Sequence, residues 1–469
     1  MPVTVDSLSQ HLRRQLAFTC AIVFGLQAAV AVLMLSILVP PFENSDEFNH
    51  FDRVDQISRG GLIATRFAGP MTSGGMADPG IGKVDQIIGS VRFHPEQKVD
   101  DSMLRRASMI GWTTANRVTF ANTAIYAPML YGPEVFGVWL GKLARLSIVH
   151  SLMLARAAGG LFDVALATLA IAMAGECAPL LMIMLALPMS LSLFASISQD
   201  GAMLAMAALT VGLLTRLRGL AGVDGAANST LFWLCLCVAL LTIGRPAYAP
   251  LVILPLLLPQ FSMRIRGLAT GAIVCALGFW SICVASFTMI NGSLDRGVMP
   301  SVQLHALLRH PEWILSLAVN TFAGRQGMEG QSYFHELIGV LGWIDVVLPN
   351  WFYRLARWTL CIAVISTICR RNTLLSKPAS GWLFVAATSA CGLIFLLEYL
   401  TWSPVDFPFV DGVQGRYFLP IALFLPAFLP SLRLPGLELP TTVLRGALLL
   451  FPALSIAVTI SAVVHRYYV

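Results

Sequence analysis

Long apolar runs are the feature that most constrains how this sequence folds. The first covers residues 16–39, and similar runs follow to the end of the chain, separated by short polar loops. Only 12% of the 469 residues are charged, against about a quarter in a soluble protein, and the mean hydropathy is +0.74. About 20 apolar residues span a bilayer as a helix, and these runs are too continuous for barrel strands. The sequence therefore predicts an all-α, multi-pass membrane protein.

The distribution of basic residues predicts the orientation of the chain. The net charge is +6, and basic residues recur in pairs in short loops: Arg13-Arg14, Lys142 with Arg145, Arg216 with Arg218, and Arg264 with Arg266. Such pairs are typical of cytoplasmic loops, so we expect a cytoplasmic N-terminus. No basic face continues beyond these loops, which excludes nucleic acid as a partner.

We predict a single integral membrane domain over residues 1–469. Its first transmembrane helix covers 16–39, a large extracytoplasmic loop covers 41–118, and the remaining bundle covers 119–469. The loop holds 10 of the 25 acidic residues, and its apolar spacing predicts helices on the membrane surface, with Ser45 as the N-cap of the first. The chain is expected to re-enter near Tyr126 and to reach the cytoplasm at Lys142. Roughly 10–13 transmembrane helices are predicted in all.

Two adjacent carboxylates, Asp46 and Glu47, follow the first apolar run directly. At the mouth of a membrane helix they can stay ionised, and we interpret one of them as a general base that deprotonates an acceptor hydroxyl. His50 and Arg53 follow Asp46 at helical spacing, which predicts that the three share one face. The alternative is structural, because acidic residues in a first helical turn offset the helix dipole.

Charged residues also interrupt later apolar segments. Arg245 lies in the middle of the run 230–260, where an unpaired arginine is costly. It is predicted either to pair with Asp200 as a structural bridge or to bind a phosphate. Arg416 follows Gly415 at the start of a late span, a pattern that favours an anion site with free backbone N–H groups. Its alternative role is a snorkelling arginine at the membrane surface.

Two further segments carry weaker signals. Trp343 and Asp345 stand at the end of the segment 339–345. They are predicted either to form an aromatic belt at the membrane interface, with Asp345 as a capping carboxylate, or to line part of a pocket. His335-Glu336 is a weak candidate for a divalent metal, because no second histidine or carboxylate stands at ligand spacing. No metal ligand and no cofactor are therefore assigned.

Several of these segments, in this order, resemble a family of predicted bacterial membrane proteins, number 2142 among the domains of unknown function. The segments are 40–41 with 46–51, 126–131, 187–200, 245–248, 339–349 and 414–417. The sequence departs from the family's pattern at Phe48, where a proline usually follows the acidic pair. The family is similar in turn to the GT-C class of integral membrane glycosyltransferases.

The resemblance implies a GT-C-like helical bundle in the bacterial inner membrane, with an extracytoplasmic active site. The implied activity is inverting transfer of a sugar from a polyprenyl-phosphate carrier to an envelope glycan or lipid acceptor, with Asp46 as base and Glu47 second. The implied donor-phosphate pocket contains His50, Arg53, Asp200, Arg245, Tyr248, Gln414, Arg416 and Tyr417. The acceptor or sugar pocket contains Tyr126, Trp343 and Asp345. Membrane lipids are further expected partners.

Three other functions fit the same composition. A lipid or glycan transporter or flippase would also keep Asp200 and Arg245 in a cavity. An envelope polysaccharide polymerase or ligase is chemically close, and a structural assembly protein needs no active site. An enzyme requires that residues 46, 200, 245 and 416 face one cavity, which is the expectation that the fold can test.

Overall fold

The computed structural model of the protein describes residues 5–67, 72–220, 224–290, 297–324, 332–369, 373–432 and 441–469. These residues form mostly α-helices, with five short strands. Seven helices are long and apolar enough to cross a membrane, which confirms the predicted class of all-α, multi-pass membrane protein.

Helix α1 (Val5–Leu38) is followed by a polar segment, residues 39–147, whose described residues contain no candidate membrane-spanning helix. Its helices are α2 (Glu47–Ser58), α3 (Gly80–Ile88), α4 (Asp101–Ser108), α5 (Ala121–Ala124) and α6 (Gly132–Leu143). Its strands β1 (Thr65–Arg66), β2 (Ser73–Ala77) and β3 (Asn116–Thr119) form an antiparallel sheet in that order. Gly74 is the register point, opposite Thr65 on one side and Thr119 on the other. We call the side of the bundle that carries residues 39–147 the polar face.

The remaining chain forms the helical bundle and one two-stranded ribbon. Its helices are α7 (Ile148–Met173), α8 (Ala178–Leu185), α9 (Pro188–Phe194), α10 (Gln199–Gly219), α11 (Gly225–Gly244), α12 (Met263–Cys283), α13 (Pro300–Arg309), α14 (Trp313–Gly324), α15 (Tyr333–Gly339), α16 (Asn350–Ile368), α17 (Lys377–Thr401), α18 (Leu419–Ala422), α19 (Leu425–Phe428) and α20 (Thr441–Tyr467). Strands β4 (Val340–Leu341) and β5 (Val346–Val347) pair antiparallel. Residues 246–257 form a 3₁₀ helix.

The number of long helices is smaller than the roughly 10–13 crossings that the apolar runs predict. The seven candidate spans are α1, α7, α10, α11, α12, α17 and α20, and the bent pair α8–α9 raises the number to at most eight among the described residues. Several other apolar runs fold as short pieces instead. One cause is proline, as in residues 246–257, where Pro250 and Pro255 interrupt the run.

The chain does not re-enter the membrane between Tyr126 and Lys142, so that expectation is wrong. Helix α6 has 12 residues, about 18 Å of length, which is too short to cross a hydrocarbon core of about 30 Å. Lys142 donates to Asp55 and, over 2.7 Å, to Ser58, both at the end of α2. The basic pair at 142 and 145 therefore belongs to the polar face, and the second span begins only at Ile148.

Proline and glycine bring two helix ends to the polar face. Pro188 favours an extended conformation at Leu187, whose φ and ψ are −61° and 146°, and α8 and α9 meet there at 80°. Helix α11 ends at Gly244, directly before Arg245 and Pro246, where the chain is extended. Gln199 Nε2 donates to Gly244 O over 2.9 Å. This bond holds the start of α10 against the end of α11.

Candidate functional site

Asp46 lies at the N-cap position of α2 in a left-handed conformation, with φ of 61°. This conformation is uncommon outside glycine, although aspartate tolerates it better than most residues. The side chain is 38% exposed, and its Oδ1 accepts a hydrogen bond from Asn122 Nδ2 at 3.1 Å. The sequence predicted Ser45 as the N-cap, and this prediction is wrong. The hydroxyl of Ser45 instead donates to Gly342 O over 2.6 Å. Asp46 is thus a partly accessible carboxylate.

The neighbouring Glu47 has the opposite environment. Its side chain is fully buried against Arg156, which is fully buried as well. Arg156 Nε donates to Glu47 Oε1 over 2.8 Å, and Arg156 Nη2 donates to Oε2. The backbone N–H of Ile197 also donates to Oε1, over 2.9 Å. Because both oxygens are bonded inside the protein, Glu47 is placed as a structural ion-pair partner.

Four of the charged residues singled out in the sequence meet at one place. Arg416 Nη2 lies 4.0 Å from Asp46 Oδ2, and Arg416 Nε lies 3.9 Å from Asp200 Oδ2. Arg245 Nη2 donates to Asp200 Oδ1 over 3.2 Å. The order in space is therefore Asp46, Arg416, Asp200 and Arg245. We call these four residues the charged cluster.

Arg416 has hydrogen-bonding capacity to spare. Its Nε has no hydrogen-bond partner among the described residues, and both carboxylate contacts are too long for good hydrogen bonds. Only 14% of its side chain is exposed. A mostly buried guanidinium whose Nε is unpaired can donate from this atom to an incoming anion without first breaking a hydrogen bond.

A small cleft opens beside the charged cluster. His50, Asp200, Gln414 and Arg416 line it together with residues 340–342 and 344 of the ribbon. Asp46 and Arg245 do not line it, so this cleft is not shared by all four residues that the sequence predicted to face one cavity. Its volume is about 30 Å³, which admits water but no sugar. The walls must therefore separate before a substrate larger than water can enter.

Tyrosines support the two arginines of the cluster. The guanidinium carbon of Arg245 lies 4.0 Å from the ring centre of Tyr417, within cation–π range. The hydroxyl of Tyr248 donates to Tyr417 O over 2.8 Å and so fixes the segment that carries Arg416. These aromatic rings hold both guanidinium groups in place without using their N–H donors.

His50 lies beneath the cleft as a neutral side chain. Burial lowers the pKa of His50 to about 4, so the ring carries no charge near neutral pH. Its ring is stacked on that of Tyr126 with centres 5.6 Å apart. Its Nδ1 lies 2.7 Å from the hydroxyl of Tyr131, a residue that the sequence did not single out.

Arg53, Trp343 and Asp345 are engaged elsewhere. Arg53 donates to the carbonyls of Leu62 and Tyr126 over 2.7 and 3.1 Å, so it fastens α2 to neighbouring loops. The indole of Trp343 donates to Phe42 O over 3.1 Å. Asp345 Oδ2 accepts from Arg466 Nε over 2.9 Å. None of the three lines the cleft.

The sequence suggested that the backbone N–H of Gly415 is free to bind an anion, and the structure contradicts this. This N–H donates to Glu336 Oε2 over 2.6 Å. A Cβ at Gly415 would lie 2.1 Å from Tyr333 O, so glycine is needed for this close approach to α15. Glu336 thereby positions the residue next to Arg416. Among the described residues, no group of three His, Cys, Asp or Glu side chains could hold a metal ion.

Sequence reasoning missed two polar residues near the charged cluster. Asn122 is a short polar side chain in α5 with no distinguishing pattern. Glu398 lies near the end of α17 and interacts electrostatically with Arg245, Arg416 and Asp46. An ionisable residue within an apolar run is itself a functional signal, and that signal was present at Glu398.

The fold and the charged cluster at the ends of its membrane helices define a multi-pass membrane protein with a polar cleft on one face. Residues 30–425 match the family described as predicted membrane protein (DUF2142). The chain belongs to this family, as its sequence segments led us to expect. No curated protein and no solved structure matches the chain.

Proposed function

We propose that the protein is a glycosyltransferase that uses a sugar linked to a polyprenyl phosphate. The proposal rests on one observation: a partly exposed carboxylate, Asp46, lies 4.0 Å from a mostly buried arginine, Arg416, whose Nε has no hydrogen-bond partner among the described residues. Transfer from a glycosyl phosphate needs both groups. A base takes the proton of the acceptor, and a cation stabilises the phosphate as it leaves.

In the proposed reaction, Asp46 removes the proton from an acceptor hydroxyl. The hydroxyl oxygen attacks the anomeric carbon from the face opposite the phosphate, forming the new glycosidic bond with inversion. The bond between the anomeric carbon and the phosphate oxygen breaks, and its electron pair stays on the polyprenyl phosphate. The proton remains on Asp46 until solvent accepts it.

The two arginines have different roles in this reaction. Arg416 contacts both carboxylates only at 3.9–4.0 Å, so its N–H groups can turn to the phosphate. Arg245 is bonded to Asp200 and lies on Tyr417, so it mainly adds positive charge. The guanidinium groups of Arg245 and Arg416 would repel each other, and the carboxylate of Asp200 between them offsets this repulsion.

Binding of the sugar requires the cleft to widen. The ribbon residues 340–342 and 344 form one wall, and the hydroxyl of Ser45 fastens that wall to the start of α2. Displacing the ribbon would open the cleft next to Asp46. We place the reaction on the extracytoplasmic side of a bacterial inner membrane, with an envelope glycan or lipid as acceptor. The basic pairs at 13–14, 216/218 and 264/266 lie at helix ends opposite the polar face and put the N-terminus of α1 in the cytoplasm, whereas the pair at 142 and 145 departs from this pattern.

The experiment is transfer in proteoliposomes from a radiolabelled polyprenyl-phosphate sugar, comparing wild type with Asp46→Asn. Loss of a general base should lower turnover by about 10²–10⁴-fold while leaving retention of the donor lipid intact. The matched control is Asp101→Asn, whose side chain is 89% exposed on α4. Unchanged transfer by Asp46→Asn would remove the assigned base. Movement of the intact lipid across the bilayer without transfer would instead favour a transporter or flippase.

A further inference from the structure

A second and much larger cavity lies on the other side of the β4–β5 ribbon. Its volume is about 670 Å³, within the range of ligand-binding pockets. One wall is a stripe of the last helix that includes Leu454, Ala457 and Ser461, and the opposite wall includes Val347 and Trp351. We call this cavity the C-terminal groove.

The groove exists because small side chains follow one face of α20. Ala457 and Ser461 are four residues apart and therefore lie one above the other on the helix. Neither fills the space between α20 and the start of α16, where Trp351 is 49% exposed. Most of the groove wall is apolar, so it suits a hydrocarbon chain.

The end of the groove at the polar face carries positive charge. Lys98 supplies this charge, and His465 lies beside it. Arg466 lies there too, but its charge is neutralised by Asp345. Lys98 Nζ donates to His465 O and Arg466 O over 2.8 and 3.1 Å, and an ammonium group has three donors. The third donor of Lys98 remains for an anionic group.

The position in the bundle fits a lipid of the membrane itself. The stripe of α20 belongs to the candidate span Leu448–Tyr467, and Lys98 contacts the last turn of that span. Lipid headgroups lie at the ends of membrane spans, and acyl chains lie along them. The lysine therefore matches the anionic headgroup of a phospholipid, and the apolar groove matches its acyl chain.

The ribbon separates this groove from the cleft. Residues 340–342 and 344 line the cleft, whereas residues 345–347 line the groove. The ion pair between Asp345 and Arg466 lies on the groove side of the ribbon. The groove is therefore a binding place separate from the cleft beside Asp46.

We propose that the C-terminal groove binds an anionic phospholipid of the surrounding bilayer, with its phosphate at Lys98 and an acyl chain along Ala457 and Ser461. Occupancy would support the ribbon from behind and so stabilise one wall of the cleft. The inference concerns binding alone and does not depend on the proposed transferase activity.

The test uses quenching of Trp351 fluorescence by brominated lipids in nanodiscs. The contribution of Trp351 is the difference between wild type and Trp351→Phe. Brominated phosphatidylglycerol should quench it at roughly five-fold lower mole fraction than brominated phosphatidylcholine, as expected for one lysine near a headgroup. Equal quenching by the two lipids would show an ordinary lipid annulus and overturn the proposal.

Two pairs of variants locate the binding site. Lys98→Gln should abolish the preference and Lys98→Arg should retain it, with Lys83→Gln, on the exposed side of α3, as control. Ser461→Phe should fill the groove and abolish quenching of Trp351, whereas Ala272→Phe, exposed on α12, which contributes no residue to the groove, should not. A preference that survives Ser461→Phe would contradict the assignment. Displacement of phosphatidylglycerol by equimolar polyprenyl phosphate would assign the groove to a different lipid.

Discussion

Asp46 and Glu47 are adjacent in sequence and belong to two different regions of the molecule. Asp46 belongs to the charged cluster, where two arginines and two carboxylates meet at distances of 3.2–4.0 Å beside a cleft. Glu47 belongs to a closed pair with Arg156, in which both side chains are fully buried. The left-handed backbone at Asp46 separates the two environments, because it directs consecutive side chains to different sides of the chain.

The comparison teaches that residue type does not distinguish a functional ion pair from a structural one. Both regions contain the same groups, arginine and carboxylate. They differ in how many hydrogen bonds those groups have already formed. Arg156 donates to Glu47 and to the carbonyls of Ser36, Val39 and Pro40, whereas the Nε of Arg416 has no partner among the described residues. Of these two arginines, Arg416 is the one with an unpaired N–H donor, its Nε, for a ligand.

Breaking the closed pair should have the largest effect on the fold. Glu47→Gln leaves Arg156 as an uncompensated buried charge, which costs about 3–5 kcal/mol of stability. We expect a lower unfolding temperature in detergent and a lower yield of folded protein. Asp46→Asn is the matched control and should change stability by about 0.5 kcal/mol or less. Equal stability of the two variants would contradict the distinction between the two regions.

Removing the guanidinium group of Arg416 should affect activity rather than stability. Arg416→Gln should lower sugar transfer by about 10²–10³-fold, because one preorganised donor to a developing charge is lost. Arg105→Gln, on the exposed side of α4, serves as control in the same transfer assay. A variant at Arg416 that transfers sugar normally but unfolds at a lower temperature would assign Arg416 to the structural region instead.

Glu43 is a buried carboxyl group with one oxygen that lacks a hydrogen-bond partner in the described part of the chain, and it predicts how stability depends on pH. Burial raises the pKa of Glu43 to about 7, and its Oε2 has no hydrogen-bond partner among the described residues. The neutral form therefore stabilises the fold below about pH 4.5, and this contribution is lost as the pH rises through 7, by at most about 1.4 kcal/mol per pH unit. We expect the unfolding temperature to fall between pH 5 and 7 in wild type and to fall less in Glu43→Gln. Parallel curves for the two proteins would contradict the burial argument.

The aromatic support of Arg245 should have the smallest effect. Tyr417→Leu removes a cation–π contact of 4.0 Å, which is worth about 0.5–2 kcal/mol. We expect KM for the donor lipid to rise several-fold with little change in kcat. Tyr399→Leu on α17, outside the charged cluster, is the control. A large fall in kcat with unchanged KM would mean that Tyr417 acts in the chemical step.

The sequence predicted the class of fold and all four members of the charged cluster. Apolar runs identify membrane helices, and charges within or beside such runs are rare enough to be noticed, as Asp200 and Arg245 were. The sequence could not separate Asp46 from Glu47, because their difference depends on one φ angle and on Arg156, 109 residues away. It also misjudged residues 126–145, whose apolar composition resembles a span although α6 is short.

The roles of Trp343 and Asp345 were beyond sequence reasoning for a similar reason. Asp345 pairs with Arg466, 121 residues further along the chain. Proximity of that kind is set by the packing of α20 against the polar face. No local pattern indicates it.

The most direct test of the account is a cryo-electron microscopy map of the protein in nanodiscs with bound polyprenyl phosphate. The account predicts phosphate density at the charged cluster, with an oxygen about 3 Å from a nitrogen of Arg416 and with the Glu47–Arg156 pair unchanged. Phosphate density away from Arg416, with no ligand beside Asp46, would contradict the claim that the charged cluster is the site of reaction.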